Sequence, residues 1–335
     1  METTIEVTEP SQVAEVRRLA AELGRSQGLN ETDLGRAALV ATEASTNLVK
    51  YARRGSITVS IFKEGPAAGV QFIAADHGPG FTDFAAASRD GHSTGGSLGL
   101  GLGVIQRSSD LFDVYTVAGQ GSAILSRVAR ERAMQRAGDG RLEVGARQAP
   151  KRGQGECGDA WSWMRAGRWQ RLCLVDGLGH GPLAASAAKD AISVFLEARE
   201  GDLPTDIINR CHHALKSTRG AVMAVAAIDA AAGTLSFAGV GNITGVVYSA
   251  AAAGSHLLST EGIVGYQMRT IRGVERTWTR GDTLVLSSDG LSGRWNLGRY
   301  ANLLQRHPVL VASVLFRDYA RDNDDATVVV ARDPR

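Results

Sequence analysis

The stretch from Leu172 to Gly181, LCLVDGLGHG, constrains this chain more than any other. An apolar run of four or five residues bounded by turn residues predicts a buried strand, and this one ends on Asp176. Gly177, Gly179 and Gly181 follow, so little but backbone crowds the carboxylate and a ligand can come close. A buried strand that delivers a carboxylate to its end predicts a metal site there.

Three further acidic positions make sense if they converge on Asp176: Asp159 in CGDAW, Asp289 in SSDG, and Asp324-Asp325 before ATVVV. Each flanks a predicted strand. Aspartate is depleted in strands, and Asp-Gly is a common turn dipeptide, so turn chemistry explains any one of these sites alone. Four together call for another reason. Carboxylates suit the hard cations Mg²⁺ and Mn²⁺, and two such ions about 3.5 to 4 Å apart hold a bridging hydroxide and clamp a phosphate for in-line attack.

The first half of the chain carries a different pattern. Glu43 and Asn47, four apart in a helix predicted over 31–51, project from one face and suit Mg²⁺ and water. Asp76 follows an apolar strand and opens DHGPG, where Gly78 and Gly80 let the backbone turn and the aspartate can read an adenine amino group. A glycine-rich run, Gly95, Gly96, Gly99, Gly101 and Gly103, then enters a helix predicted over 102–111, offering N–H groups to phosphates. Singly these read as a solvated helix face and a linker. Their order within about 60 residues gives them weight together. His77 and His92 show no metal-ligand spacing.

With 335 residues and 44% hydrophobic content, two globular domains are expected. A net charge of +2 with scattered basic residues sets aside nucleic acid and anionic membrane surfaces as partners. Three cysteines, Cys157, Cys173 and Cys211, fit no disulfide framework and point to a reduced, cytoplasmic setting. The chain starts without a signal-like segment, and no apolar run approaches the roughly 18 to 20 residues of a membrane span. Elsewhere, Ser11 is expected to cap a first helix. Strands are predicted over 142–147, 159–165, 171–175, 221–229, 234–239, 245–248, 268–273, 283–287 and 326–331, and helices over 183–199, 205–215, 297–305 and 309–319. Many strands with few helices give an α+β fold rather than alternating βαβ units.

The stretches ATEASTNLVKYA, DHGPGF and GGSLGLGLGVIQRSSDLFDV resemble the N, G1 and G2 boxes of the ATPase fold shared by gyrase, Hsp90, histidine kinases and MutL, closest to RsbW- and RsbT-type switch kinases, over about residues 1 to 130. The resemblance implies an N-terminal α/β sandwich binding ATP with Mg²⁺ on Asn47, adenine at Asp76, phosphates under the Gly95 to Gly103 loop, and Glu43 polarising a serine or threonine hydroxyl of a partner. GECGDAWSW, LVDGLGHGPLAASAA, AGVGNITGVV, LSSDGL and NDDATVVVAR resemble the metal-dependent type 2C serine/threonine phosphatases, in their SpoIIE and RsbX branch. This second likeness is the more specific. It implies an α-β-β-α sandwich with two Mn²⁺ or Mg²⁺ ions: Asp176 bridging, the Gly177 carbonyl on one, Asp289 and Asp324 on the second, and Asp159 near by. Asp325 would turn outward or orient a neighbour. The family places a histidine directly after Asp-Gly; here Leu178 stands there and His180 comes two later, which weakens His180 as general acid. Asn242 is a candidate for contacting substrate phosphate. Cys157 and Cys173 are read as packing residues, and Trp161, Trp163 and Trp169, which alternate with polar residues, as sheet core and surface rather than a recognition box.

These likenesses divide the chain into an ATP-binding switch-kinase-like domain over 1–132, a linker over 133–141 and a phosphatase domain over 142–335. The expected function is dephosphorylation, and possible phosphorylation, of STAS-type antagonist proteins in bacterial partner-switching stress signalling. The alternative is an N-terminal module that binds ATP without transfer, to sequester a partner or to sense nucleotide.

Overall fold

The computed structural model describes residues 2–52, 54–81, 101–130, 141–249 and 252–334. They fall into two compact units, 1–136 and 137–335. Of the linker expected over 133–141, all but Arg141 lies outside the described residues.

The first unit sets β1 (Glu2–Glu6), β2 (Gly55–Glu64), β3 (Ala67–Asp76), β5 (Gly121–Ala129) and β4 (Leu111–Val117) side by side in that order, all antiparallel. Helices α1 (Pro10–Ser26) and α2 (Glu31–Tyr51) pack on one face. Their apolar positions Val16, Ala20, Ala37, Val40, Ala44 and Leu48 form one core with Ile57, Val59, Val70, Phe72 and Ile124. Tyr51, the last residue of α2, is exposed. Asn30 caps α2 by accepting from Asp33 N at 2.9 Å. At α1, Glu9 rather than Ser11 is the cap, because Pro10 takes the first helical position, where its missing N–H costs nothing. Gln12 Oε1 closes the box by accepting from Glu9 N at 3.0 Å. A third helix, α3 (Gly101–Ser108), is tied to α2 by Arg36, whose Nε donates to the Ser108 carbonyl and whose guanidinium pairs with Asp33 and Asp110 at 2.8 and 2.7 Å.

The second unit stacks two five-stranded antiparallel sheets. One has the order β13 (Val274–Thr277), β10 (Thr234–Val240), β9 (Ala221–Asp229), β8 (Trp169–Gly177), β7 (Asp159–Ala166). The other has β12 (Ala252–Leu257), β11 (Thr244–Ser249), β14 (Thr283–Ser287), β15 (Ala326–Arg332), β6 (Glu143–Ala149). Strand alternation separates two cores. Leu172 and Leu174 of β8 turn inward to Val247, Leu284, Leu286 and Val329 of the opposite sheet. Cys173 and Val175 face the other way, onto Ala188, Ala191 and Phe195 of α4 (Pro182–Leu196) and Ile207, Ile208 and Cys211 of α5 (Pro204–Ala214). A last helix, α6 (Pro308–Tyr319), covers β6 and β15. The result is an α-β-β-α sandwich.

Two expectations fail here. Residues 297–305 form two 3-10 turns, Leu297–Arg299 and Leu303–Gln305, because Asn302 adopts the left-handed region at φ 62° and interrupts any longer helix. Residues 268–273 form no strand: Met268 bridges only Gly262, and Ile263 N donates to the Gln267 carbonyl at 2.7 Å. That segment closes on itself, and the strand begins one residue later, at Val274.

Candidate active site

Strand β8 carries Asp176 to the edge of the sandwich because its five preceding residues are buried on both faces. In the antiparallel register with β7, Asp176 stands opposite Asp159, so two carboxylates 17 positions apart in sequence become neighbours. Turning the chain at once requires Gly177: a Cβ there would lie 2.2 Å from the Ala184 carbonyl oxygen of α4. Helix α4 therefore packs directly on the backbone beside the carboxylate. Gly181 caps α4 at φ 75°.

Asp176, Asp289 and Asp324 line one cavity of about 720 Å³, together with His180, Asn242, Lys151 and Glu261. Asp289 follows β14, and its Oδ2 accepts from Asn242 Nδ2 at 2.8 Å. Asn242, expected to touch substrate phosphate, lines the cavity and also positions this carboxylate. Asp324 caps its neighbour, accepting from Asp325 N at 3.0 Å. Asp325 does not turn outward. It is buried, and its Oδ1 accepts from Lys151 N at 2.8 Å. Asp159 sits behind the cavity, with Oδ2 accepting from Ser288 Oγ at 2.7 Å. Ser288 Oγ in turn accepts from Thr327 N at 2.9 Å.

This arrangement is costly without a cation. Burial, then the charges of Asp159, Asp289, Asp324 and Asp325, push the Asp176 carboxyl up to about 8. Burial likewise lifts Asp159 to about 7 against the Ser288 hydrogen bond, with Asp325 and Asp289 adding to the rise. Asp159 Oδ1 and Asp325 Oδ2 are buried with no hydrogen-bond partner. All-oxygen donors with orphaned lone pairs fit hard divalent ions. Among the described residues, no three His, Cys, Asp or Glu side chains stand close enough to ligate one ion together. An ion here would be held by few carboxylates and keep much of its water, as Mg²⁺ does.

Cys157 is a poor nucleophile: burial, then Asp159, pushes its thiol up to about 12. Cys173 is fully buried and also raised, and all three cysteines are free. Trp161 and Trp163 pack against the inter-sheet core. Lys151 and Glu261 line the cavity but carry no motif; nothing in KRGQGE or STEGIV marks them, since only the fold brings residues 151 and 261 beside Asp176.

In the first unit, the structure joins Glu43, Asn47 and Gly101. A Cβ on Gly101 would lie 3.1 Å from both Asn47 Oδ1 and Glu43 Oε2, so the N-terminus of α3 abuts the polar face of α2. Asp76 ends β3, with Oδ1 accepting from Gly78 N at 2.6 Å and Oδ2 from Ser122 Oγ. Gly80 serves the backbone: at φ 60°, its Cβ would strike the Val117 carbonyl oxygen at 2.3 Å. Gly103 is buried within α3. Gly95, Gly96, Gly99 and His92 lie outside the described residues.

Residues 7–126 match the histidine kinase-like ATPase domain, and residues 167–333 match Stage II sporulation protein E (SpoIIE). The serine/threonine-protein kinase RsbT of Bacillus subtilis (strain 168) is 32% identical over 112 residues, 33% of this chain and 84% of RsbT. The phosphoserine phosphatase RsbX of the same strain is 28% identical over 146 residues, 43% of this chain and 72% of RsbX. A solved structure described as "The bacterial stressosome: a modular system that has been adapted to control secondary messenger signaling" is 35% identical, with TM-score 0.53, over 57% of this chain and all of that one. RsbX in complex with magnesium shares the fold at TM-score 0.52 and 21% identity, over 59% of this chain and 98% of its own.

Proposed function

The chain belongs to the RsbT-like histidine kinase-like ATPases through its first unit and to the SpoIIE phosphatases through its second, and from that premise we propose a metal-dependent phosphoserine/phosphothreonine protein phosphatase bearing an ATP-binding domain. The observation that carries the reading is the convergence of Asp176, Asp289 and Asp324 on one cavity backed by the buried, partly orphaned Asp159 and Asp325. Asp176, Asp289 and Asp324, with the Gly177 carbonyl and Asp159 close by, would hold Mn²⁺ or Mg²⁺. Such ions, when bound, lower the pKa of water and neutralise phosphoryl charge.

The chain's own groups do the positioning. Ser288, held by Thr327 N, orients Asp159; Asn242 orients Asp289; the Asp324 cap fixes the loop that presents Asp325 to Lys151 N. With Leu178 directly after Asp-Gly and His180 exposed on the cavity wall, water serves as proton donor to the leaving serine or threonine oxygen.

In the first unit, Asn47 would hold Mg²⁺, Asp76 the adenine, and Glu43 the acceptor hydroxyl, with α3 entering beside them. The match to RsbT and the stressosome structure supports STAS-type antagonist proteins as substrates in a partner-switching pathway, acted on in the cytoplasm. No helix among the described residues is long and apolar enough to cross a membrane. Tethering both activities raises each one's effective concentration near the other's product.

The test is phosphate release from phosphorylated STAS proteins with Mn²⁺, with and without ATP. Release that requires Mn²⁺ supports the phosphatase. Labelled ATP marking the STAS protein, and failing to do so in Glu43→Ala, supports transfer. If label never moves yet Glu43→Ala still binds the partner, the first unit sequesters; if ATP alters release without being consumed, it senses nucleotide.

A further inference from the structure

Among the described residues, the cavity that gathers the carboxylates has a single Lys or Arg side chain in its lining. Lys151 lines it with Asp176, Asp289, Asp324 and Glu261, and no other Lys or Arg among the described residues does so. The lysine's backbone is held from three sides. Lys151 N donates to Asp325 Oδ1 at 2.8 Å, its carbonyl accepts from Gln154 N at 2.9 Å, and Arg152 N donates to the Asp322 carbonyl at 3.2 Å. The residue is therefore built into the same loop cluster as the acids and moves with them.

Its ammonium makes no ion pair with any described residue, although four carboxylates share its cavity. A lysine that only balanced those acids would sit against one of them. Phosphate monoesters are dianions near neutral pH, and a wall of aspartates repels them until cations intervene. A half-buried lysine whose ammonium keeps its donors free of the carboxylates around it is placed to receive such a group.

We propose that Lys151 binds the phosphoryl group of the substrate in the ground state, as a specificity residue for phosphate monoesters; this rests on the phosphatase reading. Arg219 is the natural control. Its guanidinium lies against Gly179, which lines the cavity, 3.0 Å from a Cβ built there, but Arg219 itself does not line it.

The full-length protein, with Mn²⁺, is assayed on p-nitrophenyl phosphate and a phosphoserine peptide as wild type, Lys151→Met, Lys151→Arg and Arg219→Ala. Lys151→Met is expected to raise KM for both esters, and the inhibition constant of inorganic phosphate, by about ten- to a hundredfold, the range of a charge-assisted hydrogen bond. The kcat and the Mn²⁺ half-saturation stay within about threefold, Lys151→Arg recovers part of the loss, and Arg219→Ala changes neither constant beyond that margin. Unchanged KM and phosphate inhibition in Lys151→Met overturns the proposal. So does a Mn²⁺ half-saturation that moves by the same factor as KM, because the lysine then acts through the carboxylates. If the wild type hydrolyses neither ester, the phosphatase reading fails separately. Calorimetric titration of inorganic phosphate into wild type and Lys151→Met with Mn²⁺ still decides the lysine: weaker binding in the variant supports it, and equal or absent binding in both overturns it.

Discussion

Replacing Ser288 by alanine removes one hydroxyl and two buried hydrogen bonds. Ser288 Oγ donates to Asp159 Oδ2 at 2.7 Å and accepts from Thr327 N at 2.9 Å, and all three residues are buried. The Thr327 N–H is left unpaired, at about 1 to 3 kcal/mol, and the bond to the carboxylate is of the charge-assisted kind, about 1.5 to 3 kcal/mol. The two are not additive, so a destabilisation of about 2 to 4 kcal/mol is expected. For a unit of this size, that lowers the melting temperature by roughly 4 to 16 °C. The assay is calorimetry of the full-length protein in chelator, following the transition that added Mn²⁺ shifts upward. The same change strips Asp159 of the strongest donor that opposes its burial, so its carboxyl rises further and Mn²⁺ binding at pH 7 weakens, recovering at higher pH. A shift under about 1 °C, with Mn²⁺ affinity untouched, would refute the role given to Ser288.

Other perturbations test other joints. Asp176 and Asp159 titrate near about 8 and about 7 when folded but near 3.8 when unfolded, so between those values the folded state holds protons the unfolded state has shed. Metal-free stability therefore falls as pH rises through that window and levels off above it; thermal unfolding in chelator that strengthens with pH there contradicts the account. Gly177→Ala places a Cβ 2.2 Å from the Ala184 carbonyl oxygen, and by displacing α4 should destabilise the second unit by about 1 to 3 kcal/mol or more and weaken Mn²⁺ binding, read by denaturant unfolding and metal titration. Arg36→Ala removes the cation that pairs with the buried carboxylates of Asp33 and Asp110 and should cost the first unit about 3 to 5 kcal/mol, measured by urea unfolding.

Much of this architecture is legible in the chain because local pattern and tertiary demand agree. The span 31–51 has both a cap in Asn30 and a sustained apolar stripe, and the helix runs over those residues. Strands β9 and β14 are apolar runs bounded by turns, and they fall where the pattern puts them, at Ala221–Asp229 and Thr283–Ser287. Where tertiary contacts decide, pattern fails. Ala252–Leu257 opens on small residues that read as a turn, yet it is held as an edge strand by β11. Residues 268–273 carry strand-like composition but follow a segment whose Glu261, Gly262 and Ile263 wall the cavity. The same limit holds at the site. Asp176, Asp289 and Asp324 announce themselves through the turns around them. The inward turn of Asp325, the use of Asn242 as a positioner, and Lys151 depend on contacts spanning 174, 47 and more residues, which no local signal encodes.

The central claim is that Asp176 is the carboxylate around which a metal-dependent phosphatase is built. The most direct measurement is phosphate release from a phosphoserine protein across a Mn²⁺ titration, for wild type and Asp176→Asn side by side. The account predicts release that saturates with Mn²⁺, disappears in chelator, and falls by at least about a thousandfold in the variant, the order expected when a group acting in the transition state is removed. Wild-type-like release by Asp176→Asn, or release that persists with all metal chelated, would contradict it.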